Sequence, residues 1–376
     1  MKKKAAVIGS GIAGLTLGNF LKKNSLIDFT IYEKQDGLSF EEGYGIQLSV
    51  NCISILRELD FDLIKQEDFY NPKKINFLSF NNKKICDLNL ANFNTDKNKY
   101  TTLRRSVLIE FLQEKLFKKD IKFNKEIIKI SELKDKILIN FKDNTNDLVD
   151  YLFVCDGVFS NTKKIIESNK SDPKFSNAFA IRSIIKSSDV QELDSENISV
   201  FMGSNAHIVT YPVNKRRDQN LVCIIRSKKK DIISNQDFLE ENIFNQSKKL
   251  KNLFKNNLKA WPIYISEKSS KSSLKKVFYI GDAFHTLMPT MAQGAAQSIE
   301  GAYEIYNLVS KNIKNINEIY YNERIKRLKS INIKSKINFI SFHMSNVFSV
   351  KIRNLLLKKL VKNEKFLKSY LGKVYN

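Results

Sequence analysis

The sequence predicts an α/β protein. A parallel β-α-β core is interleaved with a strand-rich α+β part that carries a mixed β-sheet, and C-terminal helices follow. Three observations predict it. A β-branched run from Ala5 to Ile8 passes through glycines into Leu15, Leu17, Phe20 and Leu21 at helical spacing, and then into a second strand, Phe29 to Tyr32. From about 175 to 265 the texture changes to alternating strands such as Ile208–Tyr211 and Leu221–Ile225. Beyond about 330 the chain is Lys-rich and helically periodic.

Taken in order, Ala5–Ile8 lacks polar alternation, as a buried parallel strand should. Leu108, Leu112 and Leu116 lie four apart and place a helix over Arg104 to Phe117. Strands are expected at Ile137–Ile139 and Tyr151–Cys155, and a buried strand at Val277–Ile280 precedes a helix from about Gln293. No Pro/Gly linker separates the two textures, so each domain is expected to be discontinuous in sequence.

Composition narrows the function. The 376 residues are 42% hydrophobic with only 13 Gly and 5 Pro, which excludes a disordered or collagen-like chain. Cys52, Cys86, Cys155 and Cys223 form no C-x-x-C pair, so a reduced, cytoplasmic setting is expected rather than a disulfide framework or a thiolate metal site. The Lys-rich start breaks into Gly9 too early for a signal peptide. No run reaches the ~18 apolar residues of a membrane span, so the chain reads as soluble or peripheral. The formal net charge of +23 favours nucleic acid, an anionic membrane or an anionic substrate. With no nucleic-acid motif beside the charge, nucleic acid is not an expected partner.

Gly9-x-Gly11-x-x-Gly14 lies between a strand and a helix. The first Gly makes the tight turn, the second lets a pyrophosphate approach the backbone, and the third lets helix and strand pack closely. The helix N-terminus then offers N–H groups and a positive dipole end to phosphates. Glu33 closes the second strand, where a carboxylate accepts hydrogen bonds from a ribose. A bound dinucleotide is expected, and this motif alone leaves NAD and FAD open.

Cys155-Asp156-Gly157 follows one apolar strand, and Gly281-Asp282-Ala283-Phe284-His285 follows another, running into Pro289-Thr290-Met291-Ala292-Gln293-Gly294-Ala295. Gly43-Tyr44-Gly45-Ile46-Gln47-Leu48 with Asn51, Arg105-x-x-Leu108, His207 to Val213, and Tyr321-x-x-Arg324-x-x-Arg327 accompany them. Together these resemble the single-component FAD-dependent aromatic hydroxylases of the p-hydroxybenzoate hydroxylase fold, nearest the salicylate and 3-hydroxybenzoate hydroxylase branch.

That resemblance implies a Rossmann-like FAD-binding domain of glutathione-reductase type from residues 1–70, 100–175 and 265–330. A substrate domain would comprise 71–99 and 176–264, and a helical segment 331–376. It implies FAD as cofactor, held by Gly9, Gly11, Ala13, Gly14, Glu33, Arg105, Asp156, Asp282, Gly294 and Ala295, with Gln293 also meeting substrate. NADH or NADPH would reduce the flavin, O2 would add at C4a, and the hydroperoxide would hydroxylate a small phenolic or carboxylated aromatic. With no second Gly-x-Gly-x-x-Gly, the nicotinamide would bind transiently.

His207 and Tyr211 lie four apart on a strand and so share a face. By resemblance that face looks onto the substrate, His207 as base or phenolate partner and Tyr211 as a hydrogen-bonding group. His285 and His343 read as structural, and three scattered histidines make no metal site. Three positions depart from the family: Lys163 and Lys164 replace an arginine, Gly301 an aspartate, and Tyr44 a small residue.

The final segment sets Lys351, Arg353, Lys358, Lys359, Lys362, Lys365, Lys368 and Lys373 against one acid, Glu364. The favoured reading packs its apolar face on the core. The alternative is a basic helix lying peripherally on the inner face of the membrane. Two alternatives follow for the whole chain: a ubiquinone-biosynthesis ring hydroxylase at the membrane surface, or a flavin-binding membrane or interaction protein without turnover.

Overall fold

Five strands pair in parallel in the order Val277–Tyr279, Tyr151–Val154, Lys3–Ile8, Ile27–Tyr32 and Ile121–Lys122. The register sets Ala5 opposite both Phe29 and Tyr151. The chain is described here from a computed structural model covering residues 2–38, 44–167, 172–189, 193–227, 238–247, 250, 253–254 and 258–375. Gly43 of the Gly-Tyr-Gly motif lies outside these residues.

Helices cover the parallel sheet. The helix Ile12–Lys22 packs against Gly294–Ser310, with Phe20 stacked on Tyr306 at 5.3 Å. Leu15, Leu17, Leu21, Val7, Ile31 and Phe153 are all fully buried. Burial on both faces explains why these strands read as unbroken apolar runs.

The glycine turn shows how closely strand and helix approach. Gly9 has φ +96°, a conformation that L side chains rarely adopt. A Cβ on Gly14 would sit 1.9 Å from the Gly9 carbonyl oxygen, far inside van der Waals contact.

A seven-stranded mixed sheet runs Ala260–Ile265, Lys174–Ile185, Gln219–Arg226, Ala206–Pro212, Ile198–Met202, Lys74–Ser79 and Lys84–Asn89. All its pairings are antiparallel except that of Ile198–Met202 with Lys74–Ser79. A small sheet of Gly45–Leu48, Thr101–Arg104 and Phe69–Tyr70 abuts it. The Gly45 amide donates to Asn220 Oδ1 at 2.7 Å, and a Cβ there would meet Asn220 and Val213 at 2.7 Å. Only a residue without a side chain permits that contact.

The C-terminal helices Ile316–Phe342 and Val347–Leu360 follow. The reading that the final segment packs its apolar face on the core holds for Leu357, Val361, Phe366, Leu367 and the residues after them, but not for the outer face of the second helix. Arg353 is its one buried residue, while Val347, Phe348, Ile352, Leu355 and Leu356 are exposed. Among the described residues, no helix is long and apolar enough to cross a membrane.

Gly14→Ala forces a methyl against backbone, so it is expected to lower unfolding free energy by about 3 kcal/mol, or to prevent folding. A urea midpoint equal to that of the unmodified chain would contradict the close helix–strand contact.

Candidate functional site: the carboxyl edge of the parallel sheet

Parallel pairing sends the carboxyl ends of the strands to one edge, and four motifs begin there: Gly9–Gly11, Glu33, Cys155–Asp156 and Gly281–Asp282. They touch. A Cβ on Gly9 would meet the Cys155 carbonyl oxygen at 2.7 Å, and one on Gly281 would meet Ser298 Oγ at 2.7 Å and Ala13 Cβ at 3.4 Å. Glu33 is tied to the glycine turn through Oε2, which accepts from the Ser10 amide at 2.8 Å and its hydroxyl at 2.7 Å.

Several groups here are left for a ligand. The helix Ile12–Lys22 has no side-chain cap and no acid in its first turn, so its amino-terminal N–H groups keep their positive field. A Cβ on Gly11 would meet nothing within 4 Å. Asp156 Oδ2 accepts from the Thr162 amide at 3.1 Å, while Oδ1 is buried without a partner. Burial raises its carboxyl above the usual range, against hydrogen bonds from Ser160 and Thr162.

Burial likewise pushes the Asp282 carboxyl up to about 6, yet the Asp282 residue is exposed. Arg105 opens the helix Arg105–Glu114, its amide donating to the Tyr44 carbonyl at 2.9 Å.

The departures from the family pattern have local accounts. Lys163 is buried and donates to the Ala283 carbonyl at 3.3 Å, joining the two aspartate motifs. A Cβ on Gly301 would meet the Tyr320 hydroxyl at 3.1 Å, so that space is taken. The neighbouring Glu300 serves as carboxylate, paired with Arg327 at 2.6 Å and Arg324 at 3.4 Å. Burial works against its charge, but the arginines outweigh it and hold it below its usual range. Tyr44 packs edge-on to Trp261 at 5.5 Å and lies 5.9 Å from the Arg182 guanidinium.

A cavity of about 830 Å³ lies where residues 289–295 face the seven-stranded sheet. Its floor is one face of the seven-stranded sheet, where His207, Val209, Tyr211, Val222 and Ile224 alternate inward. Gly294 and Ala295, the first residues of the helix Gly294–Ser310, line it, after Ala292 turns the chain at φ 51°. This helix start also lacks a side-chain cap.

Gln293 is placed differently from the expectation that it meets substrate, because its side chain does not line the cavity. That side chain is buried away from the cavity, its Nε2 donating to Ser49 Oγ and its Oε1 accepting from Gln297 Nε2, both at 3.1 Å.

His207 and Tyr211 do face the cavity together. His207 Nδ1 lies 2.7 Å from His343 Nε2, and burial, then the neighbouring His343, hold its imidazole well below its usual range. Burial also holds His343 down, to about 3. Tyr211 is raised by burial, with Arg182 and Gln47 opposing, and Gln47 Oε1 accepts from the Tyr100 hydroxyl at 2.8 Å.

Sequence reasoning missed three of these residues as site residues: Arg182, Gln47 and the His343 partner. Arg182 had a legible signal, as a charge within the apolar strand Lys174–Ile185. His285 bonds Ser269 at 3.2 Å. Among the described residues, no three His, Cys, Asp or Glu side chains gather to hold a metal.

The open cradle at Gly11, the partnerless Asp156 oxygen and two uncapped helix starts suit a flavin dinucleotide. Fold and site together define a flavin-dinucleotide protein. The chain matches the family described as FAD binding domain over residues 2–325, and it belongs to that family.

It is 26% identical over 315 residues to 3-hydroxybenzoate 6-hydroxylase 1 of Aquipseudomonas alcaligenes, covering 80% of this chain and 79% of that one. Two solved structures share the fold. Klebsiella pneumoniae HpxO complexed with FAD and uric acid has a TM-score of 0.84 at 18% identity, covering 99% of this chain and 96% of that one. A salicylate hydroxylase substrate complex has a TM-score of 0.83 at 19% identity, covering 100% and 95%.

Gly11→Ala places its methyl where protein leaves room, so stability is expected to hold within about 0.5 kcal/mol. FAD affinity is expected to fall at least about tenfold, since the backbone can no longer approach a pyrophosphate. Unchanged affinity in a fluorescence titration would remove Gly11 from the cradle.

Proposed function

We propose that this protein is a monooxygenase that hydroxylates a small phenolic or carboxylated aromatic, using NAD(P)H and O2. The observation that carries this reading is the shared cavity. The helix start at Gly294 and Ala295 opens on it, and His207, Tyr211 and Arg182 line it with the sheet. The hydroxybenzoate and salicylate hydroxylases among the relatives favour this over the ubiquinone-pathway and non-catalytic alternatives.

In this reading residues 1–70, 100–175 and 265–330 hold FAD, while 71–99 and 176–264 hold the substrate. The distribution of strands between the five-stranded and seven-stranded sheets supports the division. Bound FAD, reduced by NAD(P)H, supplies the oxygen chemistry. The chain positions, polarises and excludes water. Gly9, Gly11, Ala13 and Gly14 receive the diphosphate, Arg105 adds charge there, and Glu33, Asp156 and Asp282 accept from sugar or ribitol hydroxyls. The Gly294 and Ala295 amides would hold the flavin ring at a helix start whose field favours negative charge. Gln293 acts from behind, fixing the start of that helix through Ser49 and Gln297.

A phenol reacts faster as phenolate, and its unperturbed pKa near 10 makes a base useful. Burial keeps His207 neutral, so its free ring nitrogen accepts a hydrogen bond from the phenol and shares that proton as phenolate character develops. With Nδ1 engaged by His343, Nε2 is the nitrogen left for the substrate. Tyr211 hydrogen-bonds the substrate, and Arg182 supplies the counter-charge for a carboxylate.

The purified protein is expected to oxidise NADH or NADPH in the presence of a phenolic acid and to yield a hydroxylated product. Oxidation without product for every phenol tested would contradict the reading. His207→Ala should keep its FAD and lose about 100-fold in kcat. Because the His207 imidazole stays neutral well below its usual range, the acid limb of the wild-type profile should lie below about pH 6.5. An unaltered rate and profile in the variant would take His207 out of the proton step.

A further inference from the structure

The two long C-terminal helices carry apolar side chains outward. Along Ile316–Phe342 these are Ile333, Ile337 and Ile340, and along Val347–Leu360 they are Phe348, Ile352, Leu355 and Leu356, each set at helical spacing. Their exposure runs from 45% at Ile352 to 72% at Phe348. The one buried side chain of the second helix is charged: Arg353 donates to the Ser341 carbonyl at 3.0 Å and to Asn354 Oδ1 at 2.9 Å. A helix seated only on a core shows the reverse pattern.

Charge around this stripe has one sign. No Asp or Glu occurs between Glu323 and Glu364. Lys336, Lys351, Lys358, Lys359, Lys362, Lys365 and Lys368 are exposed, and none of them is ion-paired among the described residues. The stripe also reaches the cavity, because Ile337, Ile340, Ile352 and Leu356 belong to both.

We propose that this helix pair docks on an anionic lipid surface and opens the cavity toward the lipid, giving an apolar aromatic substrate its entry. The docking stands independently of the proposed function, and the entry route rests on it. Charge complementarity selects the occupant. A basic face with an apolar stripe gains from anionic headgroups and from the acyl boundary together. A second copy would bring lysines against lysines, which is penalised. Nucleic acid would leave the apolar stripe without a partner.

The test is co-sedimentation of the full-length FAD-bound protein with vesicles of phosphatidylcholine, with or without phosphatidylglycerol. Binding should be at least about tenfold stronger with phosphatidylglycerol. It should fall away at about 1 M salt, where the Debye length is about 3 Å. Two variants, Phe348→Ser with Leu355→Ser and Lys351→Glu with Lys358→Glu and Lys359→Glu, should each weaken it about tenfold or more while keeping the flavin spectrum.

No binding to phosphatidylglycerol vesicles, or equal binding by the variants, would overturn the docking. So would a wild-type dimer in sedimentation velocity that Phe348→Ser with Leu355→Ser dissociates, since the stripe would then belong to a second copy. For entry, an alkylphenol carried in the vesicles should be hydroxylated more slowly by the variants, and a water-soluble phenol equally fast. Equal rates on both would overturn the route. Failure with the soluble phenol as well, in the unmodified protein, would count against the proposed function instead.

Discussion

The structure depends on parallel pairing of the strands Lys3–Ile8, Ile27–Tyr32, Tyr151–Val154 and Val277–Tyr279. Parallel strands share a direction, so whatever follows each of them emerges at the same edge. Segments more than a hundred residues apart in sequence are thereby placed against one another, with Gly9 on Cys155 and Gly281 beside Ala13. Close approach is bought with missing side chains at Gly9 and Gly14. The same edge leaves the amino-terminal amides of Ile12–Lys22 without a side-chain cap, as an anion site requires.

The cavity adds a second constraint of the same kind. Period-two alternation brings His207, Val209 and Tyr211 to one face, and neighbouring strands add Val222, Ile224 and Arg182. Gly45 lets the small sheet approach Asn220, which sets Gln47 beside Tyr211. The interior is mostly apolar, so burial opposes charge on its histidines and on Tyr211. His207 and His343 are pushed down, and Tyr211 up. Arg182 is the exposed cation on that wall, placed by the ring of Tyr44.

Much of this was legible in the sequence because it is local. The strand–glycine–helix order, the aspartates after apolar strands and the alternation at His207 each need only a short window. The strands and helices named from periodicity are present to within a few residues, as at Lys3–Ile8, Ile12–Lys22 and Gln219–Arg226. What the sequence hid is set by long-range contact. His343 reads as packing until a helix 136 residues away sets it 2.7 Å from His207. Gln293 sits within a motif, but its side-chain direction depends on Ser49 and Gln297. The last long helix turns Arg353 inward and Phe348 outward, against its own hydrophobic pattern, because Ser341 and Asn354 hold the guanidinium.

In the proposed function, flavin and aromatic substrate meet in one cavity, between the start of Gly294–Ser310 and the His207 face of the sheet. The direct measurement is the visible spectrum of the FAD-bound protein during titration with phenols and aromatic acids. A saturable shift in the flavin bands is expected with at least one of these ligands, lost when Tyr211 and His207 are both replaced by alanine with FAD retained. A flavin spectrum indifferent to every aromatic tested, or a shift that persists in that variant, would contradict that reading.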